Sequence, residues 1–324
     1  MEYKLYKLKF DTPVHFGSDK LAVSLEESDF ICHSDTLFSA LCLEYIKLNG
    51  AENLSKFVEL FNNGELLISS LLPYKDKDLY IPKPSIVVER DNKKDDKTDS
   101  SSDRKKMKKL GFIKVSDLDN YLKSIKGEHD FNFNSMEYNK FSNEYLFQKV
   151  SLSRTEENNL YSVGVHYFYD KCGLYFILAY NNKTNLDIFE QIFKSLSYSG
   201  IGGKRTSGYG SFSLINDSSN ISVINKYLFK DAKYKMILSL YSPCENEIEN
   251  IDFNSSYYSI IKRNGFIYSQ TYSSTLLKRK SLCMFKEGSC FIGDIKGNIK
   301  DVSHASGSHE VYRYGKALYI GIDV

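Results

Sequence analysis

The segment GIGGKRTSGYGSF at residues 200–212 places five glycines and a Lys-Arg pair between a helix and a strand. Ahead of it Phe189, Ile192, Phe193 and Leu196 recur at i, i+3, i+4 and i+7, with Asp187 in the first turn and Gly200 at the C-terminal stop. After it Phe212 and Leu214 alternate with Ser211 and Ser213, the period of a strand. Phosphate loops of the P-loop and Rossmann types run the other way, from strand to helix, so that a helix N-terminus faces the phosphate. The Walker A pattern fails as well: Arg205 follows Gly203-Lys204, and Tyr198 stands where its first glycine belongs. Glycine still permits positive φ and close backbone approach, so amides can converge on phosphate oxygens while Lys204 and Arg205 supply charge. The segment is therefore read as an anion-binding loop, with a plain glycine-rich connection as the alternative.

The N-terminal half fits around that loop. Leu5, Leu8 and Phe10 predict a first strand ending near Pro13. Ser34 reads as the N-cap of a helix whose apolar stripe is Leu37, Phe38, Leu41, Tyr45 and Leu48, stopped by Asn49-Gly50. Residues 160–180 read as a hairpin turned at 170–173. With the helix and strand flanking the glycine loop, these elements give β-α-β-β-α-β, the ferredoxin-like order, both helices lying on one face of an antiparallel sheet. A second unit is expected from Lys233, where KYKMILSLYSPCE repeats the strand-and-proline pattern of KLYKLKFDTPVHF. Its strands are expected around 265–269, 276–285, 289–295 and 311–324, and its best helix at 255–263. The fold class is thus α+β, two ferredoxin-like domains in tandem at 1–217 and 226–324, joined by the polar stretch 218–225. Residues 90–109, RDNKKDDKTDSSSDRKKMKK, are too polar to bury anything and are expected to be disordered alone. Strand-like sequence at 80–89 and 112–115 makes them the tip of a protruding hairpin.

A chain of 324 residues supports two cores of ordinary size. Its 43 Lys and Arg against 41 Asp and Glu leave a net charge of +2, so nucleic-acid binding must use local patches such as RKKMKK at 104–109. The rings of 25 Tyr and 21 Phe can stack on unpaired bases, although strand packing explains most of them. Cys32, Cys42, Cys172, Cys244, Cys283 and Cys290 show no C-x-x-C spacing and predict neither a zinc site nor a disulfide framework. Asp76, Asp78, Asp95, Asp96 and Asp99 fall in lysine-interleaved loops where solvation explains them. No metal and no cofactor are expected. Without an eighteen-residue apolar run or a signal peptide, the expected location is the cytoplasm.

Helix, GxGGKRxSGxGxF loop and strand in this order resemble the glycine-rich loop of the RAMP superfamily of CRISPR-associated RNA-binding proteins. FDTPVHFG at 10–17 and HSDTLFSAL at 33–41 are similar to the first strand and helix of its Cas five-like group, the Csm-four family of type III-A effector complexes. IIKRNGFIYS at 260–269, MFKEGSCF at 284–291 and HEVYRYGKALYIGI at 309–322 resemble that family's second domain. The resemblance implies a non-catalytic subunit of an antiviral interference complex that caps the 5′ handle of CRISPR RNA. Its partners would be the guide RNA, a large polymerase-like subunit of the Cas ten family and a backbone RAMP subunit, with no membrane. A thumb at about 80–115 is implied, reaching across the guide. Guide contacts are expected at His15, Gly17 and Ser34, and along the loop at Gly200, Gly202, Gly203, Lys204, Arg205, Thr206, Ser207, Gly208 and Tyr209. Arg154 and Thr155, in a segment similar to one that RAMP proteins hold near the guide, are added, as are Arg104, Lys105 and Lys106 at the hairpin tip. Phosphates would go to Lys204, Arg205 and the loop amides. Such contacts position a strand without reading it, so selectivity for the handle would need pockets around flipped bases.

Two rival functions are kept. A metal-independent, transcript-processing endoribonuclease would use His33 or His15 as general acid or base on the 2′-hydroxyl. Nucleases of the superfamily carry their glycine loop close to the C-terminus, whereas 114 residues follow Gly210 here. A scaffold with no RNA role would tolerate loss of charge from the loop.

Overall fold

The computed structural model describes residues 1–17, 25–87, 107, 109–128, 131, 138, 140–152, 158–215, 221–267, 269 and 271–324. β1 (Glu2–Phe10) leads through the short pair β2 (Phe16–Gly17) and β3 (Ser28–Asp29) to α1 (Ser34–Asn49) and α2 (Leu54–Asn62). Next come β4 (Leu66–Ile68), β5 (Leu72–Lys75), β6 (Asp78–Pro82), β7 (Phe112–Lys114) and α3 (Leu118–Lys126). β8 (Ser142–Ser151), β9 (Asn159–Phe168), β10 (Cys172–Tyr180), α4 (Lys183–Ser199) and β11 (Phe212–Ile215) complete this half. One antiparallel sheet of seven strands runs in the order β11-β1-β10-β5-β6-β7, with β4 also paired to β10.

α1 and α4 bury their stripes in one core. Leu37, Phe38 and Leu41 of the first and Phe189, Ile192, Phe193 and Leu196 of the second meet Leu8, Leu174, Phe176 and Leu178 of the sheet. Each such buried side chain contributes about 1.5–3 kcal/mol of transfer free energy. Gly200 ends α4 at φ +74°, and its N–H returns to the carbonyl of Leu196. Tyr45 is partly buried and stacks on Phe57, whereas Leu48 faces solvent, one turn beyond the sheet's reach. The cap of α1 is a correction. His33 occupies the N-cap position but its side chain does not cap the helix, and Ser34 is the first helical residue, fully buried.

β10 reads CGLYFILAY, a run with no polar alternation, and the structure gives the reason. Leu174, Phe176 and Leu178 point to the core under the helices, while Tyr175, Ile177 and Ala179 enter a second core on the opposite face. A strand covered on both faces loses the in-out pattern. The hairpin expected at 160–180 is therefore overturned. The chain does turn between β9 and β10, but β10 pairs β1 and β9 pairs β8 along its whole length, from Ser142↔Phe168 to Ser151↔Asn159. The fully apolar strand takes the sheet centre, and the half-polar one joins a separate two-stranded ribbon.

In the C-terminal half, the short helices α5 (Ile221–Asn225) and α6 (Glu245–Ile248) flank β12 (Tyr234–Ile237). β13 (Ile260–Arg263) pairs β14 (Leu282–Phe285), and β15 (Cys290–Phe291) joins β12 and β18 (Tyr319–Ile322) in a three-stranded sheet. β16 (Gly297–Asp301) pairs β17 (Tyr312–Lys316). The helix expected at 255–263 is not formed. Asp252 accepts the N–H groups of Asn254 and Ser255, and from Ile260 to Arg263 burial alternates as in a strand. The helix-covered face expected for this half is corrected too. Met236, Leu238, Leu318, Ile320 and Ile322 pack into the second core, so the N-terminal sheet supplies that cover.

The strands flanking the polar insertion pair with each other, Tyr80↔Lys114 and Ile81↔Ile113. Residues 88–106, with Arg104, Lys105 and Lys106, lie outside the described residues. No described helix is long and apolar enough to cross a membrane.

Candidate nucleic-acid interface

The glycine loop is built against residues 13–17. The N–H of Gly203 donates to the carbonyl of His15 at 2.8 Å, and that of Gly210 to Pro13 at 2.9 Å. Across the loop, the N–H of Ile201 donates to Gly210 at 3.0 Å. Lys204, at φ +58°, opens a single 3-10 turn, Arg205–Ser207, that Gly208 closes at φ +82°. Two glycines are required by space. A Cβ on Gly202 would sit 2.7 Å from the carbonyl oxygen of His15, and one on Gly210 would sit 1.9 Å from that of Ile201. The amides of Ile201, Gly203, Ser207, Gly208, Tyr209 and Gly210 all donate to protein carbonyls. The tight fold of the loop commits these six amides to the protein's own carbonyls. Charge and hydroxyls remain: Lys204 and Arg205 are half-buried, and Thr206 and Ser207 are exposed.

This geometry separates two glycines at similar φ. Gly210→Ala, at φ +77°, meets the Ile201 carbonyl, whereas Gly208→Ala, at φ +82°, meets open space. The left-handed backbone costs about 1–2 kcal/mol in either variant. Only Gly210→Ala adds the clash, so chemical denaturation is expected to show it as the clearly larger loss. Equal losses would contradict this packing.

The ribbon of β8 and β9 closes one side of the loop. Lys149 and Tyr161 are cross-strand partners, and both reach the loop: Lys149 Nζ lies 4.2 Å from the Tyr209 ring centroid and Lys204 Nζ 4.7 Å from that of Tyr161. Such cation–π contacts contribute about 0.5–1 kcal/mol each at exposed sites. Val14 bridges His166 of β9, so residues 13–17 lie between ribbon and loop. Arg154 and Thr155 lie outside the described residues, in the sequence between β8 and β9.

His15, Gly17 and residues 202–206 line a cleft of about 300 Å³ with Thr36 and Ser39 of α1 and Arg263 of β13. His15 is buried, its Nδ1 2.7 Å from the carbonyl of Gly164. Burial pushes its pKa down and Lys204 pushes the same way, against the pull of the Gly164 bond. A neutral imidazole with one nitrogen committed is a hydrogen-bonding group, not a cation for phosphate.

Ser34 is not part of this surface, which corrects the expectation. Its hydroxyl accepts the N–H of Leu240 at 3.0 Å, and its own N–H donates to Ser70 at 2.9 Å. His33 is equally enclosed, with Nδ1 2.8 Å from Glu287, which also accepts the Ser70 hydroxyl. Burial would raise the Glu287 pKa, but His33 and the Ser70 hydroxyl hold it below the usual range. Beside them Asp35 accepts two bonds from Arg263, at 3.0 and 2.9 Å, and another from Arg313. Burial would raise its pKa as well, and the two guanidiniums hold it well below the carboxylate range. Arg263 also donates to Thr36 at 3.0 Å. The start of α1 is thus clamped to the C-terminal half beside the cleft. Arg263, Glu287 and Arg313 fall inside the segments 260–269, 284–291 and 309–322 that carry a family likeness, yet no local signal gave them partners.

Residues 7–213 match the RAMP superfamily, and residues 230–322 match the CRISPR Csm4 C-terminal domain. A Mycobacterium tuberculosis protein called CRISPR system Cms protein Csm4 is 30% identical, over 99% of this chain and 98% of its own. A Streptococcus thermophilus protein of the same name is 29% identical, over 100% of both chains. Among solved structures, a chain of a Csm3–Csm4 subcomplex of the type III-A CRISPR-Cas interference complex shares the fold at a TM-score of 0.64. It is 22% identical, with 99% of each chain covered. A chain of a Csm1–Csm4 cassette in complex with cA4 aligns at a TM-score of 0.58 and 16% identity, over 99% of this chain and 98% of that one.

Proposed function

The chain belongs to the Csm4 family of the RAMP superfamily, and from that membership we propose that it is a non-catalytic guide-RNA-binding subunit of a type III-A interference complex in the cytoplasm. It caps the 5′ handle of CRISPR RNA and joins a large, Csm1-like subunit to a Csm3-like backbone subunit, the partners named for its structural neighbours. The observation that carries this reading is the cleft where Lys204, Arg205 and His15 converge with Arg263 beside the ribbon. Lys204 and Arg205 hold phosphates, Thr206, Ser207 and Tyr209 meet sugar or base, and Gly17, Gly200, Gly202, Gly203 and Gly208 give the backbone its path. Arg154 and Thr155, and Arg104, Lys105 and Lys106 at the thumb-like insertion of about 80–115, extend the contact. We read residues 1–217 and 226–324 as the two ferredoxin-like domains, the first from β1, α1, β5, β10, α4 and β11 in chain order, with the sheet order β11-β1-β10-β5.

The nuclease reading gains nothing from its two histidines. His33 is 4% exposed and faces Glu287, and His15 is 5% exposed and spends Nδ1 on a backbone carbonyl. His15→Ala and His33→Ala are expected to leave target-RNA cleavage by a reconstituted complex unchanged once assembly is matched. Incubation with repeat RNA in the absence of metal should give a stable, uncut complex. Cleaved product, or lost cleavage in fully assembled particles, would favour the enzyme. Co-purification of the tagged chain should recover an RNA of defined 5′ end together with the two protein partners.

A further inference from the structure

A groove of about 1000 Å³ runs between β12, α6 and the ends of β16 and β17, and Asn62 at the end of α2 also lines it. It shares no lining residue with the glycine-loop cleft. We propose that this groove is a docking site for an extended acidic segment of a partner protein, its carboxylates held by Lys233, Lys296 and Lys316 and its backbone by asparagine amides. The assignment does not depend on the guide-binding reading.

Charge in the groove is unbalanced once its internal pairs are set aside. Lys235 pairs with Asp294 at 2.7 Å. Glu247 accepts the N–H groups of Cys244 at 2.8 Å and of Gly297 at 3.0 Å, and that of Lys296 as well. What remains is Lys233, Lys296 and Lys316 against one carboxylate, Asp231. Among the described residues, none of the three ammonium groups lies within ion-pair distance of a carboxylate.

Lys316 carries the argument furthest. It is 7% exposed at the end of β17, and its Nζ donates to the carbonyl of Asn62 at 2.9 Å, so a buried cation has a neutral partner. Burial lowers its pKa and Lys296 adds to that, against the pull of Cys244 and Glu247. A buried charge is costly unless an opposite charge meets it, and a carboxylate entering the groove supplies one.

Two features select a peptide over nucleic acid. The cations are all lysines, without the guanidinium fork that matches phosphate, and no aromatic ring lines the groove for a base to stack on. Amides do line it. Asn246 makes no side-chain bond among the described residues, Asn62 uses only Oδ1, which accepts from Ile299, and Asn250 only Nδ2, which donates to the carbonyl of Asn246. A side-chain amide offers the donor and acceptor of a peptide group, so these three can pair with an extended backbone.

The test titrates the full-length chain at low salt with a fluorescein-labelled peptide of alternating Glu and Gly. Saturable binding that weakens as salt screens it is expected. Reversing charge at two exposed lysines together, Lys233→Glu with Lys296→Glu, should lower affinity about tenfold, the scale of two ion pairs. Lys286→Glu, at an exposed lysine outside the groove, should leave affinity unchanged. Cys244 reports position, because it lines the groove: bound peptide should slow its labelling by a maleimide but not that of the exposed Cys283, as read by mass spectrometry. Single-stranded RNA carrying the guide's 5′ end should bind the double variant as it binds the wild type. Absence of saturable peptide binding, an affinity unchanged in the double variant, or Cys244 labelling that the peptide does not slow overturns the assignment. RNA binding that falls with the double substitution overturns it as well, by making the groove part of the nucleic-acid path.

Discussion

Alanine at both Lys204 and Arg205 is expected to lower the magnitude of the slope of log affinity against log salt by about 1.4 for single-stranded RNA, at roughly 0.7 for each phosphate that the protein no longer neutralises. Binding should weaken more at low salt than at high salt, since released counterions count for less as salt rises. The two cations are half-buried on the 3-10 turn beside the cleft, and Lys204 is already oriented by the Tyr161 ring. Less side-chain entropy is then lost when a phosphate arrives. Gly203→Val provides the contrast: its added Cβ would lie 2.7 Å from His15 Cδ2 and displace that ring while removing no charge. Its affinity should fall with a smaller change in slope. If the double alanine variant keeps both its fold and the wild-type slope, the loop is a connection only and the guide lies elsewhere.

What was legible in the sequence was what local periodicity determines. The stripe of α4, its stop at Gly200 and the strand after the loop needed only a 3.6-residue and a two-residue repeat, and all three are present. Partner choice is not local. The turn before Cys172 was readable, but not that β10 would leave β9 for β1, because that depends on which strand has a second sheet to cover its other face. The ribbon of β8 and β9 was missed for the same reason, although SNEYLFQKVS carries strand-forming residues. The segment 255–263 fails differently: Ile260 and Ile261 favour a strand, and the Asp252 turn occupies the residues before it. In the candidate site, the loop and His15 could be named because glycine, lysine and histidine are conspicuous. The clamp on Asp35 could not, since Arg263 and Arg313 are 228 and 278 positions away.

That clamp carries the second large effect. Asp35→Ala leaves Arg263 and Arg313 facing each other, two buried charges whose shared carboxylate is gone. Removing one partner of such a buried group costs about 3–5 kcal/mol, far more than the roughly 0–1 kcal/mol of an exposed pair. Acid should expose the same dependence. Asp35 and Glu287 both titrate lower in the folded chain than in the unfolded one, so the stability they contribute is fully present above the unfolded carboxylate range. It is lost as pH falls below about 4 toward the folded values. Urea unfolding is therefore expected to show a steep loss of wild-type stability from pH 5 to pH 3. In Asp35→Asn, already weak at pH 7, the loss should be shallower, because one of the two carboxylates no longer titrates. Parallel pH profiles for the two proteins would rule the clamp out as a source of acid sensitivity. Because Arg263 both grips Asp35 and lines the glycine-loop cleft, the same substitution should also weaken RNA binding, and restoring fold with a stabilising osmolyte at constant salt should not restore affinity. Stability and the proposed guide contact meet in that guanidinium, because a cleft formed by α1 and the glycine loop takes one of its walls from the C-terminal half.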